Sequence, residues 1–289
     1  MQLSEIRAVI TGGVSGLGLA VAEHLVAAGA KVALFDVNDD KGAAAVGAMG
    51  EASARYWKTD VTDEAGVAAN MAAARDFLGG LNAAVNCAGI AEPPGSTVLT
   101  IASDEFREQI DAHLMSAFHL LQAAGRVFVE QGSGSVVLTG SAASLGMFGG
   151  SGYPAAKGGV NALALAAAAD LRDHHVRVNV VMPGAKSRLS SGDDYVAHIE
   201  GLHRRGILDD PTRDAALDPA PPEYVAPLYV FLASDAAEHI TGEIFSAAGG
   251  FIGRFESQQA SFVAYRDHKG TSPYSLDELA GILAGPSGP

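Results

Sequence analysis

The sequence predicts an α/β fold in one domain, a doubly wound sheet of seven parallel strands with helices on both faces. Three observations predict it. Short runs rich in Val, Ile, Leu and Phe alternate with longer helical windows, the order that places parallel strands between crossover helices. Hydrophobic residues make up 48% of the 289 and charged residues 18%, against a usual charged share of about 25%. Apolar material for a core is therefore plentiful. Glycine, with 35 residues, punctuates the ends of the runs without a fixed period, which excludes a collagen-like chain and marks turns.

The first strand is Arg7 to Thr11, followed by a helical window from Gly16 to Ala28. The second and third are Lys31 to Asp36 and Arg55 to Lys58, with a helix from Glu64 to Leu78 after them. Asn82 to Cys87 is the fourth strand, and a long helical window runs from Ser103 to Gln131. Gly134 to Thr139 is the fifth, leading to a helix from Ser151 to Asp173. Its run Ala162 to Ala169, almost all Ala and Leu, predicts a helix buried by close packing. Val176 to Met182 and Glu243 to Ala247 complete the seven. Each strand is short and bounded by Gly, Asp or Asn.

Two segments break the alternation. Residues 184–222 read as a long polar insertion, and loops of that length inside compact domains are commonly functional lids. Residues 251–289 read as an extension beyond a domain of residues 1–250. Its apolar residues Phe251, Phe255, Phe262 and Tyr265 need a place to pack, and its Gly/Pro/Ser-rich end is expected to fray.

The charge balance is 19 basic to 33 acidic residues, a net −14. A surface that acidic repels phosphate backbones at long range, so no nucleic-acid partner is expected. The single cysteine, Cys87, excludes an internal disulfide and a thiolate metal cluster. No apolar stretch reaches membrane-spanning length, and Met1-Gln2-Leu3-Ser4-Glu5 lacks the basic start of a signal peptide. The expectation is a cytoplasmic protein without a membrane partner.

Thr11-Gly12-Gly13-Val14-Ser15-Gly16-Leu17-Gly18 follows the first strand and opens a helix. Glycines there let the chain turn sharply and let the backbone approach a pyrophosphate seated on the positive helix N-terminus. Gly12, Ser15, Gly16, Leu17 and Gly18 are thus a candidate cradle in a Rossmann-like sheet. Asp36 stands 18 positions after Gly18, near the usual spacing of about 20 for the acid that binds a ribose. A carboxylate there accepts hydrogen bonds from the adenosine ribose hydroxyls and repels a 2′-phosphate. Val14, Ser15 and Val37 supply no compensating cation, so NAD is expected rather than NADP. Asp60 and Val61, after the third strand, are candidates to bracket the adenine, although Asp60 also reads as a plain loop cap.

Tyr153 and Lys157 lie four apart at the start of a helix, so both project from one face. An unperturbed Tyr ionises near pH 10 and is a poor base at neutrality. An ammonium beside it is expected to bring that pKa down toward the working range.

The pattern T-G-x-x-x-G-x-G at 11–18, Asn86-Cys87-Ala88-Gly89, Ser141, Tyr153 with Lys157, and Pro183-Gly184 together resemble the short-chain dehydrogenase/reductase family, in its single-domain branch. The match runs from Arg7 to Gly250. The segment Ala84 to Ala91 is similar to the hydroxysteroid and 3-hydroxyacyl-CoA dehydrogenase members. The resemblance implies an NAD-dependent oxidoreductase that interconverts a secondary alcohol and a ketone by hydride transfer. It implies Tyr153 as general acid/base on the substrate oxygen and Ser141 as hydrogen-bond partner of that oxygen, with Ser144 as the alternative to Ser141. Lys157 would lower the Tyr153 pKa and bind the nicotinamide ribose. Asn86, Ala88 and Gly89 would support the cofactor, and Pro183 and Gly184 the wall beside the nicotinamide. A homotetramer or homodimer is also implied, with Phe251 to Tyr265 reaching toward a neighbour. The competing expectation is an NAD-binding sensor or scaffold with little catalysis.

Three features depart from the family pattern. His113 stands where an Asn usually positions a water that links the lysine to solvent, and a histidine there is expected to change charge near neutral pH. Ser141 and Tyr153 are twelve positions apart, one fewer than usual, a shortening of the Gly-rich loop between them. Lys186 and Arg188 replace an aliphatic residue and a Thr, as cations facing a cofactor phosphate or acidic substrate, or as exposed loop charges. Leu145, Met147 and Phe148 are expected to add apolar wall. His198, His203, Arg204 and Arg205 read as a solvated helix face or as contacts for an acidic substrate. Steroids, hydroxyacyl thioesters and aryl or cyclic alcohols all fit this reading.

Overall fold

Strand residues alternate between the two faces of a sheet, and here both alternations are apolar. In a computed structural model, which describes residues 2–256 and 260–284, each set has its own core. Ala8, Ile10, Val32, Leu34, Val137 and Val181 pack on one side with α1 (Gly16–Ala27), α2 (Asp39–Met49) and α9 (Ala226–Ala233). Val9, Ala33, Phe35, Val136, Leu138, Val178 and Val180 pack on the other, against α3 (Glu64–Leu78), α5 (Ser116–Gln131) and α6 (Gly152–Asp170). Burying one such Val, Leu, Ile or Phe side chain contributes roughly 1.5–3 kcal/mol. The period-2 pattern of the strands therefore fixes a three-layer sandwich.

The strands are β1 (Arg7–Thr11), β2 (Lys31–Asp36), β3 (Ala54–Lys58), β4 (Ala83–Asn86), β5 (Gly134–Thr139), β6 (Val176–Gly184), β7 (Ile244–Ala248) and β8 (Phe251–Arg254). They lie in the order β3-β2-β1-β4-β5-β6-β7-β8. The order reverses between β1 and β4, where Thr11 pairs with Asn86. Ligands of such sheets bind outside the strand carboxyl ends at this switch point.

Among the described residues there are eight strands rather than the expected seven. A two-residue Gly249-Gly250 turn, with Gly249 at φ +54°, folds β8 back antiparallel on β7 with Ala248 opposite Phe251. Residues 251–254 thus belong to the sheet and not to the extension.

The insertion at 184–222 is not a bare loop. It carries α7 (Asp193–Arg204) and α8 (Asp210–Leu217), which close a small core of Ile199, Leu202 and Leu208 with Phe148, Tyr195 and Leu217. The long window 103–131 is also subdivided, into α4 (Ser103–Gln109), a π-helical turn over Ile110–Met115, and α5. The Ala/Leu run in α6 is buried on one face only: Ala164, Ala167 and Ala168 are buried while Leu165 is 45% exposed.

The chain divides into two compact units, Met1–Phe255 and Glu256–Pro289. Within the second, α10 (Leu276–Leu283) is capped by the Ser275 hydroxyl in a reciprocal pair with Glu278. The Arg266 guanidinium bonds Glu278 at 2.6 Å and covers the Tyr274 ring at 4.1 Å. The Gly/Pro/Ser-rich end, 285–289, lies outside the described residues. Among the described residues no helix is long and apolar enough to cross a membrane.

Candidate active site

The glycine turn folds as its composition requires. Gly12 leaves β1 at φ +64°, and a Cβ there would lie 2.7 Å from the Ala88 nitrogen. Gly18, in the first turn of α1, packs on the Gly12 carbonyl with no room for a side chain. Gly16, at φ +53°, has no atom within 4 Å of where a Cβ would stand. Open space therefore sits over the N-terminus of a twelve-residue helix, with Ser15 as its N-cap and Leu17 in its first turn. Asp36, at the end of β2, accepts a hydrogen bond from the Asn38 nitrogen at 3.2 Å, and Val37 beside it is 59% exposed. Lys58, the register partner of Asp36 on β3, is held by Asp39 at 2.6 Å.

Asp60 closes a turn onto Thr62. Its Oδ1 accepts from the Thr62 nitrogen and hydroxyl at 2.9 and 2.7 Å, and those bonds lower its carboxyl pKa. The Val61 carbonyl is 3.0 Å from His119 Nδ1.

The ends of β1, β4 and β5 are tied by buried polar side chains. Asn86 Nδ2 donates to Thr11 Oγ1 at 3.1 Å, and the Thr139 hydroxyl donates to the Asn86 carbonyl. Tyr229 of α9 shares a hydrogen bond of 2.8 Å with Thr139. Lys157, on α6, is buried and donates from Nζ to the Thr139 carbonyl at 2.8 Å. Burial brings its ammonium down to about 8.

Ser141 follows β5; its hydroxyl accepts from the Ala143 nitrogen at 3.2 Å and acts to lower the Tyr153 pKa. Ser144 is turned to other work, donating to the Ser141 carbonyl at 2.7 Å and accepting from Asn161 at 3.2 Å. Lys157 Nζ lies 5.7 Å from the Tyr153 ring centroid, so phenol and ammonium share one side of α6. The expected lowering of the phenol pKa is not what this state shows. Desolvation of the Tyr153 hydroxyl pushes it above 10 and the Glu92 carboxylate adds to the rise, while Ser141 opposes both.

His113 sits in the π-helical turn, fully buried. Its Nε2 lies 3.0 Å from the Ile90 carbonyl, and its Nδ1 has no hydrogen-bond partner among the described residues. Its ring stands edge-on to Tyr153. The expectation that His113 changes charge near neutrality is overturned: burial, reinforced by the Lys157 ammonium, brings its pKa down to about 3. Gly89 makes room for it, since a Cβ there would enter the imidazole.

Gly12, Asn86, Ala88, Gly89, His113, Ser141, Tyr153 and Lys157 are thus gathered at the switch point. Pro183 and Gly184 extend β6 beside β7, pairing with Ala247 and Ala248. Lys186 and Arg188 have exposed side chains, in keeping with loop charges. His203 pairs with Asp210 at 2.8 Å on the outer surface, and His198 Nε2 lies 2.8 Å from the Phe148 carbonyl.

Two residues near the phenol went unnoticed in the sequence. Burial raises the pKa of Tyr195 on α7, and the nearby Tyr153 adds to the rise. Glu92 accepts hydrogen bonds from the backbone nitrogens of Ser151, Gly152 and Tyr153. Neither carries a local spacing signal.

Residues 12–252 match the family model described as Enoyl-(Acyl carrier protein) reductase. The 2,5-dichloro-2,5-cyclohexadiene-1,4-diol dehydrogenase of Sphingobium indicum is 34% identical over 258 residues, covering 86% of this chain and 98% of that protein. The 3alpha-hydroxysteroid dehydrogenase of Mediterraneibacter gnavus is 31% identical over 256 residues, with coverages of 86% and 98%. The crystal structure of levodione reductase superposes with a TM-score of 0.74 at 29% identity, covering 85% of this chain and 97% of that one. A short chain dehydrogenase from Mycobacterium avium gives 0.77 at 27% identity, with coverages of 96% and 93%.

The chain belongs to the short-chain dehydrogenase/reductase family. It is therefore an oxidoreductase of a family whose dehydrogenases use nicotinamide cofactors, and a scaffold without chemistry is not favoured. The residues present fit such a dinucleotide: Gly12 and Gly18 leave no room for a side chain in the turn, and Gly16 leaves the N-terminus of α1 open to a ligand.

Proposed function

We propose that this short-chain dehydrogenase/reductase is a cytoplasmic, NAD-dependent enzyme that interconverts a secondary alcohol and a ketone carried on a ring. The observation that carries the reading is Lys157 Nζ 5.7 Å from the Tyr153 ring, one helical turn along α6, with Ser141 acting to lower the Tyr153 pKa. The ring preference rests on the diol and hydroxysteroid dehydrogenases among its relatives and on the apolar Phe148 next to the Tyr195-bearing helix α7.

The cradle residues Gly12, Ser15, Gly16, Leu17 and Gly18 would hold the pyrophosphate. Asp36, with Val37 beside it, would take the adenosine ribose, and Asp60 and Val61 would flank the adenine. Asn86, Ala88, Gly89, Pro183 and Gly184 would border the nicotinamide, and Lys186 and Arg188 would lie at its outer rim. When bound, the nicotinamide accepts or supplies the hydride.

In the oxidation direction Tyr153 Oη receives the hydroxyl proton of the substrate, and Ser141 donates a hydrogen bond to the same oxygen. An isolated buried phenol resists ionisation. The Lys157 ammonium and the hydroxyl of Ser141 favour the phenolate, and both gain strength in a site closed to water. In the reduction direction Tyr153 returns the proton. The segment 184–222 would form much of the substrate wall, and the family resemblance supports a homodimer or homotetramer.

A panel of ring-borne and open-chain secondary alcohols with NAD, followed by NADH absorbance, tests this. Turnover of ring alcohols is expected. Absence of turnover across the panel, and of the reverse reaction with ketones and NADH, would overturn the proposal.

A further inference from the structure

We propose that Glu92 is a positioning residue for Tyr153: its carboxylate grips the start of α6 and fixes where the phenol stands. The inference rests on the dehydrogenase reading above, which gives Tyr153 its task. An α-helix begins with backbone N–H groups that have no partner inside the helix. In α6 the N-cap residue Ser151 makes no side-chain cap bond, and its hydroxyl has no hydrogen-bond partner among the described residues. Glu92, from the segment after β4, does that work instead. Its Oε1 accepts from the Ser151 and Gly152 nitrogens at 2.9 and 3.2 Å, and its Oε2 accepts from the nitrogen of Tyr153 itself. The Ser96 hydroxyl donates to Oε1 at 2.9 Å and fixes the carboxylate in turn.

The anchor is itself held. Gln109 Nε2 donates to the Ala91 carbonyl at 2.8 Å, and His113 engages Ile90. A Cβ on Gly152 would stand 2.8 Å from Gln109 Cγ, and one on Gly150 would stand 3.3 Å from Glu92 Oε1. Gly150 lets the helix start close against the carboxylate, and Gly152 lets it lie against Gln109. A negative charge at a helix N-terminus is stabilising, and its bonds to N–H groups are charge-assisted. Any cap would steady the helix. This one also acts on the phenol, since its negative charge adds to the rise of the Tyr153 pKa.

The titratable groups around Tyr153 are Lys157 on its own helix, Glu92, His113 from the π-helical turn, Tyr195 from α7 and Tyr229 from α9. At neutral pH His113 and the two phenols are uncharged, the first held at about 3 and the others raised. Glu92 and Lys157 are therefore the charges of opposite sign near the phenol. Removing the negative one eases ionisation of Tyr153.

The test compares Glu92→Gln, Glu92→Asp and Glu92→Ala with the parent enzyme. It reads kcat, KM for NAD and for the alcohol, the pH profile of oxidation, and tyrosinate absorbance with Tyr153→Phe as the blank. Glu92→Gln should lower kcat about tenfold through misplacement with KM for NAD unchanged, and should move the alkaline rise of the profile to lower pH. The tyrosinate titration should move to lower pH. Glu92→Ala should lose more, and Glu92→Asp should recover part of that loss. Unchanged kcat, profile and tyrosinate titration in both Glu92→Gln and Glu92→Ala would overturn the role. A shifted titration in a protein that turns over no alcohol would support the hold on Tyr153 while overturning the dehydrogenase reading.

Discussion

The His113 ring stands edge-on against the Tyr153 ring, with centroids 4.8 Å apart and planes at 90°. An edge-to-face pair of this kind packs a hydrogen-bearing rim against a π face. It places a neutral imidazole, bonded to Ile90, against the Tyr153 ring.

Acid stability should report that burial. The folded state holds the His113 pKa at about 3, while in an unfolded chain a histidine titrates near 6.5. Between those values the unfolded chain binds more protons, so the stability contribution is full above about 6.5 and declines as pH falls toward 3. By pH 5 the loss from this one group is on the order of 2 kcal/mol. Urea unfolding at pH 7 and pH 5 should show a larger loss for the parent than for His113→Asn. Equal losses would show that the histidine takes up its proton in the folded state.

Gly89 and His113 should be coupled. In Gly89→Ala the new methyl enters the imidazole, and overpacking of this kind costs roughly 1–3 kcal/mol. Truncating the ring by His113→Ala should remove most of the added cost, so the double variant should lie well above the sum of the two single changes. Additive melting shifts would mean that the Gly89 segment moves aside.

Cofactor choice should follow Asp36. Lys58, the cation across the ladder, is engaged by Asp39 at 2.6 Å, which leaves the Asp36 carboxylate to repel a 2′-phosphate. Asp36→Ala should lower kcat/KM for NAD about 10- to 100-fold, the worth of one or two charged hydrogen bonds, and raise it for NADP. The ratio measured at equal cofactor concentration decides. A parent enzyme that prefers NADP would reverse the assignment.

Much of the sheet was legible because its signals are local. β1, β2 and β5 coincide with the apolar runs to the residue, and the glycine turn and the Tyr153/Lys157 spacing are read within a few positions. The eighth strand was not legible: Phe251–Arg254 is a short edge strand with Phe251 and Ile252 exposed, although Gly249-Gly250 is a hairpin signal. The π-helical turn changes helical phase by one residue inside a continuous amphipathic window, and periodicity alone does not resolve that. His113 could be named but not its charge, which depends on what buries it. Glu92 caps a helix 61 positions along the chain, and only the fold brings the two together.

The most direct test of the central claim is the turnover of Tyr153→Phe on a ring alcohol that the parent oxidises, with NAD affinity measured alongside. Removing the phenolic oxygen takes away the proton acceptor, so the rate should fall by about 100-fold or more while NAD binds as before. A variant that keeps near-parent turnover would contradict the account.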